Sequence, residues 1–249
     1  MRTHISFDIK KEHSFEFYGD ELNKKHDFII STEGHNKEVD FLLFFDSRGI
    51  CKEFKTSLSN KIIKNLPKNK SYLLVSRPLE ITTWMTLYNF ILLNKIVPKK
   101  IITNMGFVDF TPKKSSIIEK SIIQYDLFFS KKDAEVNLLE KYYDENKSQL
   151  ILYQQNYPSK FVKSLEELLK SSEIIILNTP LLKKDYNFER KRPFSFFNAV
   201  KKSNQFNHKL KINKTVIDFE RFDNRLCYDG VHYTSKGNER LFLSIKKYL

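Results

Sequence analysis

Two short stretches, far apart in the chain, hold residue types that could do acid–base and nucleophilic chemistry together. The later one is Asp229-Gly230-Val231-His232-Tyr233-Thr234-Ser235-Lys236-Gly237, where an acid and a histidine stand three apart in a glycine-bearing loop. The run that follows places Leu241, Phe242, Ile245 and Leu249 at helical spacing, with Thr234 or Ser235 as its N-cap. A histidine just ahead of a helix, with a carboxylate close by, can be held in one tautomer and used as a base. A base needs a nucleophile. The earlier stretch, Phe41-Leu42-Leu43-Phe44-Phe45-Asp46-Ser47-Arg48-Gly49, offers one in Ser47. Its apolar run reads as a buried strand and ends at Asp46-Ser47, where a helix could begin.

Asp-Ser after an early buried strand, followed much later by Asp-x-x-His before the last helix, resembles the SGNH (GDSL-type) hydrolases over roughly residues 40–249. The resemblance implies Ser47 as nucleophile, His232 as base and Asp229 as the acid that orients it. Gly237, five residues after the histidine, strengthens the C-terminal match. Members of that family take their oxyanion donors from the nucleophile's backbone N–H, a glycine after the second strand and the asparagine of a Gly-x-Asn-Asp motif. Here the third block reads Gly106-Phe107-Val108-Asp109, with Val108 in the asparagine position. The second block, Ser76-Arg77-Pro78-Leu79-Glu80-Ile81-Thr82-Thr83, has no glycine, and Phe45 stands where a glycine usually precedes Asp46. Valine offers no side-chain donor, so an active site of this kind must rebuild its oxyanion hole. Arg77 is the preferred replacement, ahead of Asn104, and Gly106 remains from the motif. Arg77 could instead bind a carboxylate or phosphate of the substrate.

For Ser47 and His232 to meet, the chain must bring both to one sheet edge. Residues 40–46, 72–76, 101–105, 173–177 and 215–219 read as strands. Residues 50–65, 81–93, 159–169 and 194–209 read as helices among them, and further helices are expected at 114–128 and 133–154. Alternation of this kind is the βαβ signature of a parallel sheet, whose ligands bind at the carboxyl ends of the strands. Ser47, Ser76 and Gly106 all fall at such ends. The expected fold is α/β: a three-layer α/β/α sandwich over residues 38–249, with a mostly parallel, flavodoxin-like sheet of about five strands. Residues 1–37 hold alternating runs such as His4–Ile9 and Phe15–Tyr18 and read as a small N-terminal β extension. It could be a hairpin on the main domain or part of an oligomer contact. The charged stretch 183–194 reads as a surface loop, with a lid over the site as the sharper alternative.

Composition limits the function classes. The 249 residues suffice for one domain with a substantial core, and 22 Phe and 12 Tyr supply its bulk. Six Gly and seven Pro argue against a loop-dominated fold. A net charge of +13 fits either a solvated lysine-rich surface or an anionic partner. No arginine-rich block or aromatic RNA-binding signature accompanies the charge, so nucleic acid ranks low. Cys51 and Cys227 make neither a disulfide framework nor a metal site, and buried packing is the expected role of each. No stretch approaches the ~18 apolar residues of a membrane span, and the start of the chain is not an apolar signal segment. A cytoplasmic protein is the expectation.

The resemblance implies serine-dependent acyl-ester hydrolysis, with an O-acetylated carbohydrate as substrate class, and the charge suggests that the substrate is anionic. No cofactor and no metal are implied. An O-acetyltransferase acting on a bacterial surface polysaccharide or its precursor would use the same triad and could take acetyl-CoA as donor. A non-catalytic binding protein that keeps the fold is the alternative favoured by the altered oxyanion blocks.

Overall fold

The computed structural model describes residues 2–6, 13–20, 25–32, 38–50, 56–76, 82–111, 135–143, 149–181, 194–219 and 222–249. The expected helix at 114–128, the charged loop at 183–193, Cys51 and Arg77 lie outside the described residues.

Among the described residues, eight strands form one sheet. They are β1 (Arg2–Ser6), β2 (His13–Asp20), β3 (Lys25–Thr32), β4 (Glu38–Phe45), β5 (Tyr72–Ser76), β6 (Val97–Thr103), β9 (Glu173–Leu177) and β10 (Lys214–Ile217), in the order β1-β2-β3-β5-β4-β6-β9-β10. The five strands from β5 to β10 in that order run parallel, with Leu42 opposite both Leu73 and Ile101, and Ile102 opposite Ile175. The protein thus has the α/β fold expected from its sequence. Its three N-terminal strands continue the same sheet, because β3 pairs antiparallel with β5 from Phe28↔Ser76 to Ser31↔Leu73.

Alternation along the central strands sorts their side chains to two faces. Leu42, Phe44, Leu73, Val75, Ile101, Ile174 and Ile176 pack with Trp84, Leu87 and Ile91 of α2 (Trp84–Asn94) and with Phe161, Leu165 and Leu169 of α4 (Ser159–Leu169). Phe41, Leu43, Phe45, Leu74, Ile102 and Ile175 pack with Leu58 and Ile62 of α1 (Leu58–Asn65) and with Leu241, Phe242 and Ile245 of α6 (Ser235–Ile245). A sheet buried on both faces explains why its strands read as unbroken apolar runs. The single-turn α3 (Phe107–Phe110) follows β6, and α5 (Phe194–Lys209) lies between β9 and β10 in sequence.

Helix starts follow local chemistry. Ser57 accepts from the Asn60 N–H at 3.1 Å, so α1 begins at Leu58 and not at residue 50. Thr83 and Thr86 cap α2 reciprocally, and Thr234 accepts from Gly237 N–H to start α6.

One expected element is overturned. In place of the helix expected at 133–154, the described residues there form two strands, β7 (Glu135–Tyr143) and β8 (Gln149–Asn156), paired antiparallel. The register shifts between Leu138 and Glu140. A bulge there adds one residue to the alternation, so Val136, Leu138, Leu139 and Tyr142 acquire a spacing close to helical. The polar run Asp144-Glu145-Asn146-Lys147-Ser148 between the two apolar halves was the signal for a turn.

Candidate active site

β4 delivers the serine. At the end of this buried strand the chain turns, with Gly49 N–H donating to the Asp46 carbonyl at 3.0 Å. The Asp46 carboxylate accepts from Arg48 N–H at 2.8 Å, an Asx-type turn that lifts Ser47 out between two inward-pointing neighbours. Asp46 and Arg48 are each 1% exposed, whereas Ser47 is half-buried. The helix expected at Ser47 is therefore a turn, and α1 starts eleven residues later at Leu58. Gly49 is required by close approach: a Cβ there would sit 2.3 Å from Phe45 Cβ.

A second tight structure delivers the histidine. Cys227 and Tyr233 pair across an antiparallel bridge, and Tyr228 N–H donates to the His232 carbonyl at 3.1 Å. Within this loop Asp229 accepts from Val231 N–H at 3.0 Å and His232 N–H at 2.8 Å. Its other oxygen faces His232 Nδ1 at 2.8 Å, and His232 Nε2 lies 3.0 Å from Ser47 Oγ. The structure brings together three residues that are up to 185 positions apart in the chain. Burial opposes charge on Asp229, but the hydrogen bond and charge of His232 and the two backbone N–H groups outweigh it and hold the carboxyl well below the usual range. With Asp229 ionised, Nδ1 carries the ring proton and Nε2 is free to accept from the serine hydroxyl. The Tyr228 ring stacks on the imidazole with centroids 5.8 Å apart.

The other expected site residues are placed differently. Asn104 does not serve as an open donor. Its Oδ1 accepts from Asp46 N–H and its Nδ2 donates to Asp46 Oδ1, both at 3.0 Å. Gly106 adopts φ +110°, a conformation that glycine tolerates, and its N–H donates to Asp109 at 3.1 Å. Asp109 also accepts from Trp84 N–H at 3.0 Å and from the Tyr157 hydroxyl, so the aspartate of this block ties β6 to the start of α2. Cys227 is buried, and burial together with the charge of Asp229 pushes its thiol up to about 12, partly offset by Arg48. That agrees with a packing role and removes it as a rival nucleophile.

Sequence reasoning missed Arg48. Its guanidinium donates to both Asp46 oxygens, to the Asn104 carbonyl at 2.6 Å and to Thr179 Oγ1, and lies 4.8 Å from the centre of the Phe107 ring. The available signal was Asp46 and Arg48 two apart in an otherwise apolar context, each able to neutralise the other.

No protein-family profile matches the chain, and no curated protein is similar to it in sequence. Solved structures similar to it include an acetyl xylan esterase from Paenibacillus sp. R4, 8% identical, covering 100% of this chain and 88% of that one at a TM-score of 0.38. Est1E from Butyrivibrio proteoclasticus is 9% identical over 98% of this chain and 96% of that one, with a TM-score of 0.33. An esterase from Pyrobaculum calidifontis is 9% identical over 96% and 86% respectively, with a TM-score of 0.36. These superpositions are too loose for any residue to be carried across.

Proposed function

We propose that the protein is a serine-dependent acyl-ester hydrolase of the SGNH (GDSL) kind, acting on O-acyl groups of an anionic carbohydrate. The observation that carries this reading is the unbroken line Ser47 Oγ, His232 Nε2, His232 Nδ1, Asp229 Oδ2, with steps of 3.0 and 2.8 Å across its two hydrogen bonds. Nothing else in the described site offers a nucleophile, a base and an orienting acid in contact.

In this mechanism His232 takes the Ser47 proton as Oγ attacks the ester carbonyl. The tetrahedral oxyanion is received by the Ser47 N–H, for which the described residues offer no competing acceptor, and by the Arg77 side chain from the second block. Asp229 stabilises the imidazolium without itself becoming protonated. Collapse transfers the proton from His232 Nε2 to the departing alcohol and leaves an acyl-serine. Water, deprotonated by His232, then releases the acid and restores the serine. The substrate class comes from the family resemblance and its anionic character from the net charge of +13.

A sugar hydroxyl could replace water in the last step, which would make the protein an O-acetyltransferase. The same basic charge suits a polysaccharide acceptor. Hydrolysis of acetylated sugars by wild-type protein, lost in Ser47→Ala, is the expected result. Acetyl release from acetyl-CoA only when an acceptor glycan is present would move the reading to the transferase. Tight glycan binding with no turnover in either assay would move it to a binding protein.

A further inference from the structure

We propose that Arg48 is a positioning residue: its buried guanidinium clamps the turn that carries Ser47 onto the ends of β6 and β9, and so sets the hydroxyl beside His232. This rests on the triad reading above and adds a residue that the triad does not contain.

The geometry argues for a clamp. Nε of Arg48 reaches both carboxylate oxygens of Asp46 at 3.0 Å, and Nη2 reaches Oδ2 at 2.7 Å. Nη2 also donates to the carbonyl of Asn104, just past β6, and Nη1 to Thr179, just past β9. One planar group therefore holds three consecutive strand ends in fixed relation. Asn104 closes the arrangement from the other side, because its amide makes two bonds to Asp46. Ser47 sits between Asp46 and Arg48 in the chain, so its Cα cannot move without moving a clamped neighbour. On the far side, the Tyr233 hydroxyl is within electrostatic reach of the same guanidinium, and Tyr233 directly follows His232. The chain neighbours of the nucleophile and of the base thus converge on one cation.

Position in the fold separates this role from substrate binding. Arg48 is 1% exposed, four of its five N–H groups donate to Asp46, Asn104 and Thr179, and one face is covered by Phe107. Its donors are directed at acceptors of the protein itself, and its burial keeps it from an incoming oxyanion. A buried ion pair is a costly way to stabilise a fold, since apolar packing of equal volume often does as well. A planar fork that fixes a turn in three directions is something apolar packing does not supply. Lysine keeps the charge but cannot fork, which makes Arg48→Lys the informative variant.

The test compares wild type, Ser47→Ala and Arg48→Lys in the rate of labelling by a fluorophosphonate, and in kcat and KM for p-nitrophenyl acetate, at a temperature where circular dichroism shows each to be folded. Misplacing a reacting group by about 1 Å costs on the order of 10²-fold in rate. Arg48→Lys is expected to label, and to turn over, one to two orders of magnitude more slowly with KM changed less than about twofold. Folded Arg48→Lys that labels at the wild-type rate overturns the positioning role and leaves the triad reading intact. Wild-type protein that takes no label at Ser47 overturns both. If Arg48→Lys does not fold, Thr179→Val removes one acceptor of the clamp at nearly constant shape. Slower labelling of that folded variant supports the clamp, and the wild-type rate overturns it.

Discussion

Ser47, His232 and Asp229 act on this account as one unit, and units are non-additive when dismantled. Ser47→Ala and His232→Ala should each lower ester turnover by at least about 10⁴-fold, and the double variant should be hardly worse than either. Full multiplication of the two losses would show that the residues work separately. Asp229 gives a second prediction, through pH. Its folded carboxyl is held well below the ordinary range, so its contribution to stability is fully present above the unfolded value of about 3.9 and disappears as pH falls toward the folded one. The difference in melting temperature between wild type and Asp229→Asn should shrink as pH falls below about 4. A difference that does not shrink in that range would mean that Asp229 does not hold a depressed carboxyl in the folded protein. The three residues were legible because their types, order and spacing all bear on one chemistry. Arg48 was not, since charge beside a strand reads as surface until the neighbouring strand ends are known.

The turn after β4 and the start of α6 must each hold a reacting residue within tenths of an ångström, and both rely on a glycine for room. A Cβ on Gly237 would come 2.3 Å from the Leu226 carbonyl oxygen, which the first turn of α6 rests against. The glycine five residues after the histidine therefore has a steric reason. Gly49→Ala meets Phe45 instead, also at 2.3 Å. Both substitutions force backbone shifts costing roughly 1–3 kcal/mol. Because the shift falls on the site, fluorophosphonate labelling should slow in protein still folded by circular dichroism. Loss of stability with unchanged labelling would detach these glycines from the site. At this scale the sequence marked β5, β9, α4 and α5 at their observed limits, since each has a single clear period and a cap or break at its ends. It failed at β7 and β8, where a bulge changes the period within one strand.

Over the whole molecule, two features lie beyond any local pattern. The N-terminal strands cover the outer edge of β5, a pairing between residues 28–31 and 73–76 that alternation alone cannot assign. Deleting residues 1–37 would bare that edge, so the shortened protein should self-associate as concentration rises, which light scattering during gel filtration would detect. A shortened protein that stays monomeric would count against β3 as a structural part of the sheet. The excess of basic residues acts at longer range. If the +13 charge gathers an anionic carbohydrate, raising ionic strength should raise KM for acidic acetylated sugars and leave KM for p-nitrophenyl acetate nearly unchanged. Equal salt dependence for both esters would remove the charge from the account of specificity.

Whether Ser47 acts as the nucleophile is read most directly by intact-mass spectrometry after fluorophosphonate treatment. The expected result is one phosphonyl adduct per chain on wild-type protein, mapped to the peptide containing Ser47, and none on folded Ser47→Ala. An adduct that persists on Ser47→Ala, or a wild-type protein that takes none, would contradict that role.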